Sequence, residues 1–171
     1  MPTARAALDE VVDYIAIRRL QAVYADIVSR RAWSELEPWF EPGCEIVVDR
    51  RAGDPLVLAG ATALGEFVGA AIERFAFFEF TILNAIVDCA AGDGTARGRL
   101  WMCELRQDAV SGAWSNAYGV YHDDYSCRDG RWRFARRRYH SLARTLPATE
   151  VFAFPALDDV AGLGAGSTGR A

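Results

Sequence analysis

The sequence predicts one α+β domain in which helices come first and a curved antiparallel sheet follows. Three observations indicate this class: a helical hydrophobic repeat opens the chain, four long runs of strand-forming residues fill its second half, and short turn sequences separate those runs. The chain has 171 residues, of which 51% are hydrophobic and 12% aromatic. This length and composition are typical of a single packed domain.

The helices predicted in the first half rest on apolar residues that recur at helical spacing. An amphipathic helix is expected from Leu8 to Val28, because apolar residues return every three or four positions. A short helix is expected in AWSELEPWF, and a strand follows it in CEIVVD. A turn in RRAGDP then leads to a third helix in GATALGEFVGAAIERF.

The sheet is predicted from four runs in the second half of the chain. These runs are AFFEFTILNAIVDCA, TARGRLWMCELRQ, NAYGVYHDDYSCR and RWRFARRRYHSLAR. The breaks between them have turn chemistry that suits antiparallel connections. We expect the domain to occupy residues 1–146, and residues 147–171 to form a partly disordered C-terminal extension that ends in GLGAGSTGRA.

Charge and cysteine usage exclude several function classes. The net charge is −4 with a pI near 5.2, and the arginines of the last strand are interleaved at strand spacing, so we expect no nucleic-acid partner. The four cysteines lie far apart and form no CxxC pair, so neither a metal site nor a disulfide framework is predicted. No apolar stretch of about 18 residues occurs, so we expect a cytoplasmic protein without a membrane partner.

The order of elements and four segments resemble the NTF2-like superfamily, and within it the SnoaL-like or scytalone-dehydratase-like branch. The segments are IRRLQAVYADIVSRRAWSELEPWFEPGCEIVV, LAGATALGEFV, TILNAIVDCAAGDGTARGRL and GVYHDDYSCRDGRWRFARRR. The resemblance covers roughly residues 8–145. It implies a cone in which the sheet wraps the long first helix and encloses an apolar pocket, and it implies a homodimer.

The resemblance also implies a cofactor-independent enzyme of the dehydratase, isomerase or cyclase type. Its substrate would be a small hydrophobic molecule such as a polyketide, steroid or terpenoid. A non-catalytic binding protein, an epoxide hydrolase-like enzyme and a dioxygenase-type small subunit remain alternatives. Many members carry an aspartate five residues after the tyrosine of the first helix and a histidine four residues before the asparagine of LNAIV. Here these positions are Ser29 and Phe80, so the Asp–His pair of such dehydratases is missing.

Side-chain alternation along the strands predicts which residues face the pocket. The catalytic candidates are Asp123, Glu104, Tyr24, Tyr121 and Arg138. The substrate-binding candidates are Phe80, Asn84, Leu100, Met102 and Trp33. His122 alternates with Tyr121 and Asp123, so it is expected on the outer face of the sheet or at an interface.

A carboxylate inside the cone needs a partner, because an unpaired buried charge is costly. Arg138 is the expected partner, since its planar guanidinium can hold a carboxylate through two hydrogen bonds. Two interpretations stay open for Glu104 and Asp123. They form a structural ion pair that closes one end of the cone, or one of them is a general acid or base while Tyr24 and Tyr121 donate hydrogen bonds to a substrate oxygen.

Overall fold

A computed structural model of the chain describes residues 4–89, 93–147 and 149–155. The secondary-structure elements of these residues, in chain order, are α1 (Ala4–Arg30), two short 3₁₀ turns (Trp33–Glu35 and Glu37–Trp39), β1 (Phe40–Asp49), β2 (Leu56–Ala59), α2 (Gly60–Ile72), β3 (Phe75–Cys89), β4 (Thr95–Asp108), β5 (Trp114–Arg128), β6 (Arg131–Arg144) and β7 (Glu150–Val151). The short helix predicted in AWSELEPWF is therefore a pair of 3₁₀ turns. The strand β2 adds an element to the sequence-based expectation.

The α+β cone is confirmed. The strands form one curved sheet in the order β2-β1-β6-β5-β4-β3, with β7 paired to the end of β6. Neighbouring strands are antiparallel except β1 and β6, which run parallel, so the sheet is mixed. The helix α1 packs across β3 and β6 and contributes buried apolar residues to the core. None of the described helices is long and apolar enough to cross a membrane.

A β-bulge in β3 changes which residues of this strand face the core. Ile82 pairs with Met102 and Asn84 pairs with Trp101, so Leu83 is the extra residue between them. A bulge breaks the two-residue alternation of a strand. Asn84 therefore shares the outer face with Trp101, and the expectation that it faces the pocket is wrong.

A second bulge, in β6, has a larger consequence for the interior. Ala135 has no partner on β5, because the pairing passes directly from Phe134 to Arg136. As a result Phe134 and Arg137 both point inward, and both are completely buried. Arg138 lies on the opposite face of the sheet from Arg137. The prediction that Arg138 points into the cone is wrong for this reason.

The outer face of the sheet is partly covered by the segment that follows β6. Phe154 stacks on Trp101, with the ring centroids 5.3 Å apart, and lies against His122 at 5.9 Å. His122 is on the outer face as expected, but it is only 2% exposed. The sequence GLGAGSTGRA lies outside the described residues.

Gly119 on β5 makes room for the ring of Tyr139 on β6. A Cβ atom at position 119 would lie 2.8 Å from Cζ and 2.9 Å from the hydroxyl oxygen of Tyr139. We expect Gly119→Ala to lower the free energy of unfolding by about 1–3 kcal/mol, because the ring must leave its position. Urea unfolding measures this loss. In a Tyr139→Leu background the same substitution is expected to cost much less, and an equal cost there would contradict the proposed clash.

Candidate functional site

A cavity of about 250 Å³ opens between α2, β1 and the inner face of β4, β5 and β6. Apolar side chains from α2, β1 and β3 form much of its wall: Ile46, Val48, Leu64, Phe67, Val68, Ile72 and Phe75. Polar side chains from α1 and the central strands lie in its interior: Tyr24, Glu104, Arg106, Tyr121, Arg137 and Tyr139. Binding pockets are usually about 300–1,000 Å³, so this cavity suits a small ligand.

Glu104 is the only carboxylate that lines the cavity among the residues described. It is on β4, opposite Ala117 of β5, whose small side chain leaves the space in front of it open. Burial raises the pKa of the Glu104 carboxyl group, while Arg106 and Arg144 act in the opposite direction. The Arg106 Nη1 atom is 3.5 Å from the Glu104 Oε2 atom, which is a long contact. Glu104 can therefore take up and release a proton closer to neutral pH than an exposed glutamate.

Three tyrosines form a continuous group of hydroxyl donors inside the cavity. The ring centroids of Tyr24 and Tyr121 are 6.3 Å apart, and those of Tyr121 and Tyr139 are 5.1 Å apart. Tyr139 is placed there because it pairs with Tyr121 across β5 and β6. Burial raises the pKa of all three phenols, so they stay protonated and can donate hydrogen bonds.

Asp123 forms a buried ion pair with Arg137, not with Arg138. The Arg137 Nε and Nη2 atoms donate to the two carboxylate oxygens at 2.9 and 3.2 Å. The Tyr125 hydroxyl donates to the same carboxylate at 3.1 Å and accepts a 2.7 Å hydrogen bond from Gln21. Asp123 does not line the cavity. Both of its oxygens accept hydrogen bonds from Arg137, so Asp123 fits the interpretation as a structural ion pair and not as a general acid or base.

Arg137 is the cationic group at the inner end of the cavity. Its guanidinium carbon lies 4.1 Å from the ring centroid of Tyr24, 4.2 Å from that of Tyr121 and 4.1 Å from that of Phe134. These ring contacts and the Asp123 pair fix the guanidinium in one orientation. The Nη1 atom is buried and has no hydrogen-bond partner among the described residues. Since Arg137 lines the cavity, its guanidinium contributes a fixed positive charge there.

Other predicted binding residues lie away from the cavity surface. Phe80, Leu100 and Met102 face inward but are nearly completely buried in the core, and none lines the cavity. Trp33 packs against Gly65 and Gly69 of α2, outside the cavity. Whether any of these residues contacts a ligand stays a prediction.

Ser29 and Phe80, which stand where many relatives carry the Asp–His pair, are neighbours in the structure. The Phe80 backbone N–H donates to the Ser29 Oγ atom at 2.9 Å. The same hydroxyl donates to the Ala25 carbonyl at 2.8 Å. These two positions join α1 to β3, and neither of their side chains can exchange a proton near neutral pH.

The polar cavity residues that the sequence did not predict are Arg50, Arg74, Arg106, Arg137, Tyr139 and Arg144. The signal for Arg106 was present, because it follows Glu104 at the two-residue spacing of one strand face. Regular alternation from an inward Arg138 would place Arg137 and Tyr139 on the outer face, and the bulge at Ala135, which reverses this, has no clear sequence signature.

A metal site is not apparent in the part of the chain that the structure describes. No group of three histidine, cysteine, aspartate or glutamate side chains is placed there to bind an ion. The expected independence from cofactors stays a prediction.

The raised pKa of Glu104 makes a testable prediction about stability. The folded protein holds the Glu104 proton more tightly than the unfolded chain, so the resulting stabilisation is complete below the unfolded pKa of about 4.3 and is lost as the pH rises through the folded pKa. We therefore expect Glu104→Gln to gain stability relative to the wild type between pH 4 and pH 8. Urea unfolding of both proteins at the two pH values measures this. Glu79→Gln is the control, because Glu79 is exposed on β3. A difference between Glu104→Gln and wild type that stays constant with pH would contradict the prediction.

The family assignment follows from comparison with known proteins. Residues 9–138 match the model of the SnoaL-like domain. A protein from Novosphingobium aromaticivorans assigned as a scytalone dehydratase has 20% identity and a TM-score of 0.70 over 90% of this chain and 100% of its own. LinA has 20% identity and a TM-score of 0.72 over 88% and 99%, respectively. The hexachlorocyclohexane dehydrochlorinase LinA-type3 from Novosphingobium barchaimii has 18% identity and a TM-score of 0.68 over 88% and 97%.

At these identities the solved structures establish the fold alone. None of the curated proteins matches this sequence. The family model covers well over half of the chain. The chain therefore belongs to the family of SnoaL-like domains.

Proposed function

We propose that the protein is a cofactor-independent enzyme that transfers a proton on a small, largely apolar molecule, with Glu104 as the proton acceptor and donor. The observation that carries this proposal is the position of Glu104. It is a carboxyl group with a raised pKa in a cavity that also presents phenol and guanidinium donors. A carboxyl group tuned in this way is suited to general acid–base catalysis.

The proposed first step is removal of a proton from a carbon atom next to a substrate carbonyl group. The Glu104 carboxylate takes the proton, the C–H electron pair forms the enolate double bond, and negative charge moves to the carbonyl oxygen. Tyr121 donates a hydrogen bond to this oxygen, and the positive charge of the Arg137 guanidinium stabilises it. Donors that are already oriented stabilise such an anion without reorganisation.

The enolate then reacts according to the substrate. Return of the proton from Glu104 to a different carbon gives isomerisation. Loss of a β-hydroxyl group, with the proton returned from Glu104 to the leaving oxygen, gives dehydration and releases water. Attack of the enolate carbon on a second carbonyl, with the proton transferred from Glu104 to the resulting alkoxide oxygen, gives cyclisation. The names of two structural neighbours, a scytalone dehydratase and a dehydrochlorinase, support an elimination reaction.

Asp123 has a different role in this proposal. Because both of its oxygens accept hydrogen bonds from Arg137, it orients the guanidinium and does not meet the substrate. This also weakens the epoxide hydrolase alternative, which needs two carboxylates around one water molecule. Asp123 is therefore a positioning residue.

One observation favours a non-catalytic binding protein instead. Ser29 and Phe80 replace the Asp–His pair and are joined by a structural hydrogen bond, so the familiar proton-transfer pair of the family is absent. In this alternative the cavity holds a ligand without changing it, and Glu104 contributes only a hydrogen bond. A homodimer and a cytoplasmic location are expected under either function.

Deuterium exchange distinguishes the two functions. We would incubate the protein in D₂O with 2-tetralone, 1-indanone and cyclohexanone, and measure deuterium at the α-carbon by mass spectrometry. An enzyme of the proposed type accelerates the exchange of at least one ketone above the buffer rate. A ketone that binds but is recovered with only the buffer level of deuterium would support the binding protein and contradict the enzyme.

A further inference from the structure

The cavity opening is rich in arginine. We define the arginine mouth as Arg50, Arg74, Arg106 and Arg144, which all line the cavity. Arg50 and Arg74 are exposed, whereas the side chains of Arg106 and Arg144 are mostly buried. Positive charge is therefore concentrated where a ligand enters.

Two of these arginines converge on one aromatic ring. The guanidinium carbons of Arg74 and Arg106 lie 4.8 and 5.2 Å from the ring centroid of Phe75, which is itself part of the cavity wall. The Arg106 Nε atom is buried and has no hydrogen-bond partner among the described residues. Two cations held near the same ring raise the local potential and favour an anion between or beside them.

The other two arginines are joined by a hydrogen bond. The Arg144 Nη2 atom donates to the backbone carbonyl of Arg50, and the Arg144 Nε atom donates to Ser141 at 3.2 Å. The guanidinium of Arg50 lies 6.0 Å from the ring centroid of Phe67 on α2. Because the Arg50 contact uses its main chain, the Arg50 side chain can be changed without removing it.

The arginine mouth has more positive charge than its neighbours neutralise. Arg106 has Glu104 at 3.5 Å and Arg144 has Glu150 at 3.7 Å. Within the described part of the chain, neither Arg50 nor Arg74 forms an ion pair. The positive charge of Arg74 lowers the pKa of the nearby Asp108 carboxyl group, but that carboxylate accepts its hydrogen bonds from the loop that follows β4. The protein as a whole carries a net charge of −4, so this positive region is a local feature and not a consequence of overall composition.

We propose that the ligand of the cavity is an amphipathic carboxylate. Its acidic group binds at the arginine mouth, chiefly to Arg50 and Arg74, and its apolar body lies between α2 and the sheet. The guanidinium group of arginine is well suited to a carboxylate because its planar fork matches the two oxygens. This inference rests on the proposed function for the reaction, but it concerns binding and is tested without turnover.

Calorimetric titration with 2-naphthoate and its neutral analogue 2-naphthamide tests the proposal. We expect the wild-type protein to bind 2-naphthoate about tenfold more tightly than 2-naphthamide in 50 mM salt, and this preference to fall in 500 mM salt as the charges are screened. In Arg50→Gln/Arg74→Gln the preference should disappear while the affinity for 2-naphthamide stays the same. Arg19→Gln/Arg131→Gln is the matched control, because it removes two exposed arginines outside the cavity.

Three results would overturn the proposal: no binding of 2-naphthoate, equal affinity for both compounds, or a preference that survives in Arg50→Gln/Arg74→Gln. The Glu104→Gln variant separates this inference from the proposed function. It should retain the preference for 2-naphthoate even though it removes the proposed base. If the wild type shows the preference but catalyses no exchange of any ketone, the proposed function fails and the anion site remains.

Discussion

The Glu104→Gln variant is expected to lose ketone exchange by a factor of about 10² to 10⁴, the usual contribution of a general acid or base. Glutamine keeps the size and most of the polarity of the side chain but cannot accept a proton from carbon. The rate of deuterium incorporation into whichever ketone the wild type exchanges, measured by mass spectrometry, gives this factor. Binding of the ketone should change little, so the loss should appear in kcat and not in KM.

Glu79→Gln is the matched control for this experiment. Glu79 is exposed on β3 and does not line the cavity. The Glu79→Gln variant should therefore catalyse deuterium exchange into the ketone at the wild-type rate. Circular dichroism and urea unfolding of both variants establish that they are folded. If the folded Glu104→Gln variant incorporates deuterium into the ketone at the wild-type rate, Glu104 is not the proton acceptor.

The Asp123→Asn variant is expected to lower the free energy of unfolding by about 3–5 kcal/mol. The reason is that Arg137 would remain completely buried with its charge no longer balanced. Removing both charges in Asp123→Asn/Arg137→Met should cost less than the sum of the two single substitutions, because the double variant leaves no unpaired ion. Urea unfolding of the wild type, Asp123→Asn, Arg137→Met and the double variant gives the interaction energy of the pair as a double-mutant cycle.

Asp124→Asn is the control for the ion pair. Asp124 is the next residue on β5, and its Oδ1 atom lies 3.7 Å from the Nε atom of the largely exposed Arg97. The Asp124→Asn variant should therefore change the free energy of unfolding by no more than about 0.5 kcal/mol. Additive losses in the cycle, or a loss for Asp123→Asn as small as this control, would show that the buried pair is not a major source of stability.

The strands were predictable because local sequence determines them. Alternating residues and turn-forming breaks placed β3 to β6 within a few residues of their observed bounds, and the same alternation placed Glu104, Tyr121 and Asp123 on the inner face. The parallel pairing of β1 with β6 was not predictable in this way. It depends on how the chain closes around α1, which no local pattern records.

The errors at Asn84 and Arg138 have one physical origin. Each bulge adds a residue without a partner and reverses the alternation beyond it. The bulge at Leu83 moved Asn84 to the outer face, and the bulge at Ala135 exchanged Arg138 for Arg137 as the partner of Asp123. The chemistry of a carboxylate held by a planar guanidinium was anticipated correctly, but the arginine that supplies it was not.

A carbon-13 NMR titration of the side-chain carboxyl groups tests most directly whether Glu104 is an easily protonated acid in an apolar cavity. The signal of Glu104 is identified by its loss in Glu104→Gln. We predict that it titrates above the usual glutamate pKa of about 4.3, and that Arg106→Gln moves it higher still, because the Arg106 guanidinium lowers this pKa. A Glu104 signal that titrates at or below about 4.3 would contradict the proposed role of this residue.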